Sequence, residues 1–88
     1  GGPDHVRRLG IVTGAGSSML EAAHAEGLDT LLTGEGPHHT YHHALELGMN
    51  LIYAGHYATE TLGVRALGER LAERFDVECS FLDVPTGL

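Results

Sequence analysis

Asn50-Leu-Ile-Tyr-Ala-Gly-His-Tyr-Ala-Thr-Glu60 reads as an apolar strand, a glycine turn and the start of a helix. His56 and Glu60 stand four apart just after the turn. If the helix begins there, both lie on one face. An imidazole nitrogen beside a carboxylate oxygen suits a divalent metal. The plainer reading is an ordinary helix start, with Glu60 in the first turn and His56 bonded to a loop. Two ligands do not make a site, so the rest of the chain has to be searched for others.

Working outward, the same strand–turn–helix unit recurs. Strand one is expected over 6–12, followed by the turn Thr13-Gly-Ala-Gly-Ser-Ser18. A first helix follows, with Ser17 or Ser18 as cap, Glu21 in its opening turn and Gly27 as its stop. Strand two is expected over Thr30–Thr33, then the loop Glu35-Gly36-Pro37 and a second helix over 38–47, ended by Gly48. After strand three, over 50–54, a third helix is expected from about Thr59 to Phe75, with Leu62, Ala66, Leu67 and Leu71 as its apolar stripe. Strand four is placed at 77–84, stopped by Pro85. The order βαβαβαβ predicts an α/β fold, a mostly parallel four-stranded sheet with covering helices and right-handed crossovers. Residues 6–88 then form a single domain, and 1–5 read as a linker or cut end.

A weak repeat sharpens this. Each of the first three strands ends in a small residue and a glycine: Thr13-Gly14, Thr33-Gly34 and Ala54-Gly55, the glycines 20 and 21 apart. In a parallel sheet the three turns share the edge at the strands' carboxyl ends, where open α/β sheets bind ligands. Residues scattered in sequence therefore converge: Ser17 and Ser18; Glu35, His38 and His39; His56 and Glu60.

Composition narrows the function classes. The 88 residues hold five Arg, no Lys and twelve Asp plus Glu, a formal net charge of −7. No basic stripe is present, which argues against direct nucleic-acid binding. The absence of Lys excludes a P-loop lysine and a Schiff-base lysine. Cys79 is the only cysteine, so there is no intrachain disulfide and no CxxC knuckle. It reads as an ordinary strand residue rather than a nucleophile. No leader is read at the start, no apolar run is long enough for a bilayer, and a cytoplasmic location is expected.

Three further features have a functional and a plain reading. Gly14-Ala-Gly16-Ser17 could cradle a phosphate at a helix start. However, Met19 stands where a dinucleotide fingerprint needs its third glycine, and strand two lacks the acidic residue that would follow. The plain alternative is a tight βα turn. In Pro37-His-His-Thr-Tyr-His-His43, His38 with His42 and His39 with His43 are i,i+4 pairs that could chelate a transition metal, or merely a solvated or interface face. Glu35 could orient a histidine or simply open a helix.

Taken together, Val12-Thr-Gly-Ala-Gly-Ser-Ser18, Leu32-Thr-Gly-Glu35, Ala54-Gly-His-Tyr-Ala-Thr-Glu60 and Phe81-Leu-Asp-Val-Pro85 resemble the carboxyl-terminal part of the NGG1-interacting-factor-3-like proteins. These are also known as dinuclear metal-centre proteins or GTP cyclohydrolase I type 2 homologues. The resemblance implies two divalent metal ions (Zn, Fe or Mn), with His56 and Glu60 as metal ligands. A His-His pair and an Asp would come from an amino-terminal part that these residues do not contain. Glu35, His38 and His39 become candidates to support those ligands from behind or to face the substrate. It further implies a homohexamer and a metal-dependent hydrolase of the GTP cyclohydrolase I type 2-like class, active only when the other half is present. The competing expectation is a non-catalytic, metal-carrying hexameric scaffold or partner-binding module.

Overall fold

The computed structural model describes residues 1–88. Its elements are β1 (Leu9–Ile11), a 3-10 turn (Gly16–Met19), α1 (Leu20–Ala25), β2 (Thr30–Thr33), α2 (Thr40–Leu47), β3 (Asn50–Tyr53) and α3 (His56–Phe75). The three strands form one parallel sheet in the order β1-β2-β3. Leu9 pairs with Thr30, and Thr30 with Asn50. Each crossover is a short helical unit, as parallel neighbours require.

The α/β class and the parallel sheet agree with the sequence; the fourth strand does not form. Residues 76–88 follow α3 without pairing to any strand. The reason is geometric. α3 runs for 20 residues, about 30 Å at 1.5 Å per residue, and so carries Val77 far from the sheet. The chain then returns alongside α3.

Other boundaries move as well. β1 is shorter than 6–12, because Arg7 and Arg8 are held by Asp29 before the ladder begins. α2 starts at Thr40, with His38 and His39 in the preceding turn. α3 starts at His56, immediately after Gly55, rather than near Thr59. No serine side chain caps the 3-10 turn or α1; Ala15 and Met19 occupy those capping positions.

The core is small. Leu20, Ala23, Leu31, Ala44 and Met49 are its buried apolar residues, with Val12, Leu28, Leu47 and Leu51 packed around them. It lies between the sheet and α1 and α2. α3 buries no residue at all, so it does not cover the sheet: Leu62, Leu67 and Leu71 remain exposed. The molecule is correspondingly long, 52 × 24 × 20 Å, with a radius of gyration of 16.6 Å. A compact domain of this length would have about 12 Å.

Asp29 fastens the start of β1 to β2. Its carboxylate accepts the Thr30 hydroxyl at 2.8 Å and the amides of Arg7 and Arg8 at 3.0 Å each, while its carbonyl accepts the Asn50 amide. The Thr30 bond, then the two amides, hold its pKa below the usual 3.8 against a smaller opposing effect of partial burial. A folded-state pKa below the unfolded value gives stability that is present above pH 3.8 and lost as pH falls through the lower folded value. Asp29→Asn should therefore lower the thermal midpoint at pH 6. The variant's midpoint should also fall less than that of the unsubstituted chain between pH 5 and about pH 3. Parallel melting curves across that range check both effects.

Candidate functional site

The three glycine turns meet as the spacing predicts. The Gly14 carbonyl accepts the Gly34 amide at 2.9 Å, the Glu35 amide at 3.2 Å and the Thr33 hydroxyl at 3.0 Å. The Gly34 carbonyl in turn accepts the Gly55 amide at 3.0 Å. Gly34 needs its missing side chain. A Cβ there would lie 2.7 Å from the Gly14 carbonyl oxygen and 2.8 Å from the His56 Cα, both backbone atoms. Gly55, with φ of 91°, makes the turn from β3 into α3.

This stitching brings Glu35, His56 and Glu60 together. His56 Nδ1 lies 2.6 Å from Glu35 Oε1, and Nε2 lies 3.1 Å from Glu60 Oε1. The His56 side chain is 31 % exposed, enough for a small ligand to reach it. Because α3 begins at His56, residues 56 and 60 are one turn apart on the same helix face. The Glu35 hydrogen bond, followed by the charge of Glu60, raises the His56 pKa above 6.5 against a partial loss of hydration. The two ring nitrogens point away from each other, so the three side chains form a relay. They do not close a cage, and no group of three or more His, Cys, Asp or Glu is arranged to hold a metal ion.

With Glu35 accepting the Nδ1 proton, a neutral His56 turns its Nε2 lone pair towards Glu60. Two lone pairs at 3.1 Å repel unless a cation lies between them. A second ring proton meets that need. A divalent ion meets it too, because 3.1 Å is a separation available to two neighbouring ligands, each about 2.1 Å from one ion. The donor set thus fits part of a metal's coordination and is two ligands short of a closed one.

The other sequence candidates lie elsewhere. His38 lines an apolar groove of about 350 Å³ with Pro37, Tyr41, Leu45, Met49 and Tyr53. His38 and His42 meet edge to face with centroids 6.5 Å apart. His39 is the exposed residue before α2, and His43 pairs with Glu21 at 3.2 Å. In the glycine loop, Ser17 is buried, and the Gly16 amide is given to Thr33 Oγ1 at 2.9 Å.

Two contributors were not singled out from the sequence. Thr33 is almost fully buried, and its hydroxyl both accepts from Gly16 and donates to Gly14. Its place directly before Gly34 was the available signal. Tyr53 ends β3, and its hydroxyl bonds that of Thr40, which itself donates to the Pro37 carbonyl at 2.6 Å.

Comparison with known proteins gives consistent matches. Residues 1–87 match the family described as Duf34/NIF3 (NGG1p interacting factor 3). A protein of Deinococcus radiodurans named "GTP cyclohydrolase 1 type 2 homolog" is 48% identical over 88 residues, covering 100% of this chain and 34% of that protein. Among solved structures, protein ybgI, described as of unknown function, superposes with a TM-score of 0.87 at 41% identity, over 99% of this chain and 35% of that one. A protein of Thermus thermophilus, TTHA1606, superposes with a TM-score of 0.85 at 46% identity, over 100% and 35%. The chain thus spans about a third of the length of the relatives it matches.

Gly34→Ala tests the stitch. The added methyl meets backbone on both sides, so relief requires the turns to part. Chemical denaturation should show a loss of about 1–3 kcal/mol, the usual cost of overpacking. The His56 ring resonances should shift in the same variant, because the histidine's own Cα is one of the two obstacles.

Proposed function

The chain belongs to the Duf34/NIF3 family, and from that premise we propose that it supplies one part of a dinuclear metal centre in a metal-dependent hydrolase, with His56 and Glu60 as ligands. The observation that carries the reading is the relay Glu35–His56–Glu60. Glu35 holds Nδ1–H, which fixes the tautomer and ring plane and leaves Nε2 as the donor nitrogen. That is the usual arrangement of a carboxylate behind a metal-binding histidine. Glu60, on the same helix face, offers oxygen beside that nitrogen.

Divalent ions bound there would supply an activated water at neutral pH and polarise a substrate oxygen. What these residues do is narrower. Glu35 orients His56. Gly34 and Gly55 let the turn and the helix start approach closely. The position at the carboxyl ends of parallel strands leaves the edge open for a substrate. The remaining ligands belong to the part of the family polypeptide outside these residues, and the hexamer that the resemblance implies is part of the same proposal. The relatives' name supports a GTP cyclohydrolase-like reaction as the class to assay first.

Chelator competition with Zn²⁺ or Mn²⁺, on the chain joined to the rest of a family polypeptide, tests the ligand roles. Glu35→Gln should weaken binding by about 10–100-fold, as loss of an orienting carboxylate does, with the circular dichroism unchanged. His56→Ala should weaken it at least as much. Hydrolysis that survives a His56→Ala plus Glu60→Ala double change would sink the assignment.

A further inference from the structure

Four of the seven histidines fall within His38–His43, and the Glu35–His56–Glu60 relay uses none of them. Their spacing makes two i,i+4 pairs, and the structure separates the two. His38 and His42 turn to each other edge to face at 6.5 Å, and His42 meets Tyr41 in the same way at 5.2 Å. His38 also lines the apolar groove, and no carboxylate reaches either ring. His43 differs. Its Nε2 lies 3.2 Å from Glu21 Oε1, a carboxylate of the neighbouring helix α1.

The pair His39 and His43 has helical register, although α2 is assigned only from Thr40. His39 has φ of −63° and ψ of −21°, and the His43 amide donates to its carbonyl at 3.3 Å. Residues at this interval stand about 5–6 Å apart at Cβ. Two histidines so placed can share one ion, as they do in helical zinc motifs. His43 and Glu21 are already spaced for it. Two donor atoms 3.2 Å apart, each about 2.1 Å from one ion, subtend about 100° there, near the tetrahedral angle. The three side chains are not gathered in this arrangement. His39 is exposed and caps nothing, however, so turning its ring towards His43 gives up no partner. Glu21 is 76% exposed and equally free to adjust.

We propose that His39, His43 and Glu21 bind one Zn²⁺ that ties α1 to α2, with water as the fourth ligand. Imidazole nitrogen and carboxylate oxygen are both zinc donors. The role is structural. Glu21 follows the buried Leu20 and His43 precedes the buried Ala44, two of the five apolar residues of the core. An ion shared by the two helices would hold them together over that small core, and binding to the folded state alone stabilises it. A proton on Nε2 also accounts for the contact between His43 and Glu21, and the experiment separates the two. The inference uses no residue of the proposed dinuclear centre and does not rest on that reading.

The test uses the 88-residue chain carrying His56→Ala plus Glu60→Ala, which removes the other candidate ligands. Zn²⁺ is titrated against a competing chelator, with circular dichroism recorded for every variant. One equivalent should bind, the thermal midpoint should rise with added Zn²⁺, and the ring resonances of His39 and His43 should shift before those of the other histidines. His39→Ala and Glu21→Gln should each weaken binding by at least about 10-fold and remove most of the thermal gain. Both positions are exposed, so neither change disturbs the core. His38→Ala plus His42→Ala should retain both the affinity and the gain. Absence of binding, unchanged affinity in His39→Ala or in Glu21→Gln, loss of binding with the His38 and His42 changes, or shifts spread evenly over all the histidines, which report an adventitious ion only, would each overturn the proposal. Should His56 and Glu60 prove to hold no metal in the joined protein, this result stands unchanged.

Discussion

The edge where Glu35, His56 and Glu60 meet depends on one oxygen. The Gly14 carbonyl receives the amides of Gly34 and Glu35 and the hydroxyl of Thr33, and the Gly34 carbonyl passes the connection on to Gly55. These bonds extend the parallel ladder past the ends of the strands and turn three loops into one surface. Glycine recurs at the three turns for two reasons: Gly34 has no room for a Cβ, and Gly14 and Gly55 turn at φ of 68° and 91°. The Glu35 carboxylate is aimed at His56 because its own amide is fastened to Gly14. Site geometry and sheet register are thus set by the same contacts.

The packing is uneven by comparison. Five buried apolar residues hold the sheet to α1 and α2, while a 20-residue helix and the tail beside it bury nothing. An amphipathic helix gains most of its stability from the face it buries. α3 carries Leu62, Leu67 and Leu71 and buries none of them, so it draws little stability from packing.

Much of this was readable from residues. The glycine spacing of 20 and 21 pointed to the parallel arrangement and the shared edge, and the pair His56 and Glu60 was visible from its four-residue interval. The Glu35–His56 bond was foreseeable only as one of two roles for Glu35, because its partner is 21 positions away. The fourth strand expected over 77–84 does not form, for a physical reason. The segment has the composition of a strand and alternates only loosely, and a strand needs a neighbour, which the segment does not find beside α3. The start of α3 was set too late because Gly55, at φ of 91°, makes the whole turn in one residue. The serine caps were expected from residue type, whereas Gly16 is already bonded to Thr33 and Ser17 is packed inside.

His56 and Tyr57 are consecutive, and neighbours on a helix point about 100° apart. One is gripped by Glu35 at the sheet's edge, the other by Asp83, Val84 and Leu88 from the returning tail. The opening turn of α3 is therefore fastened on two sides, to the sheet's edge through His56 and to the tail through Tyr57. The edge that holds His56 and the arm that reaches away from the sheet share a single mechanical joint.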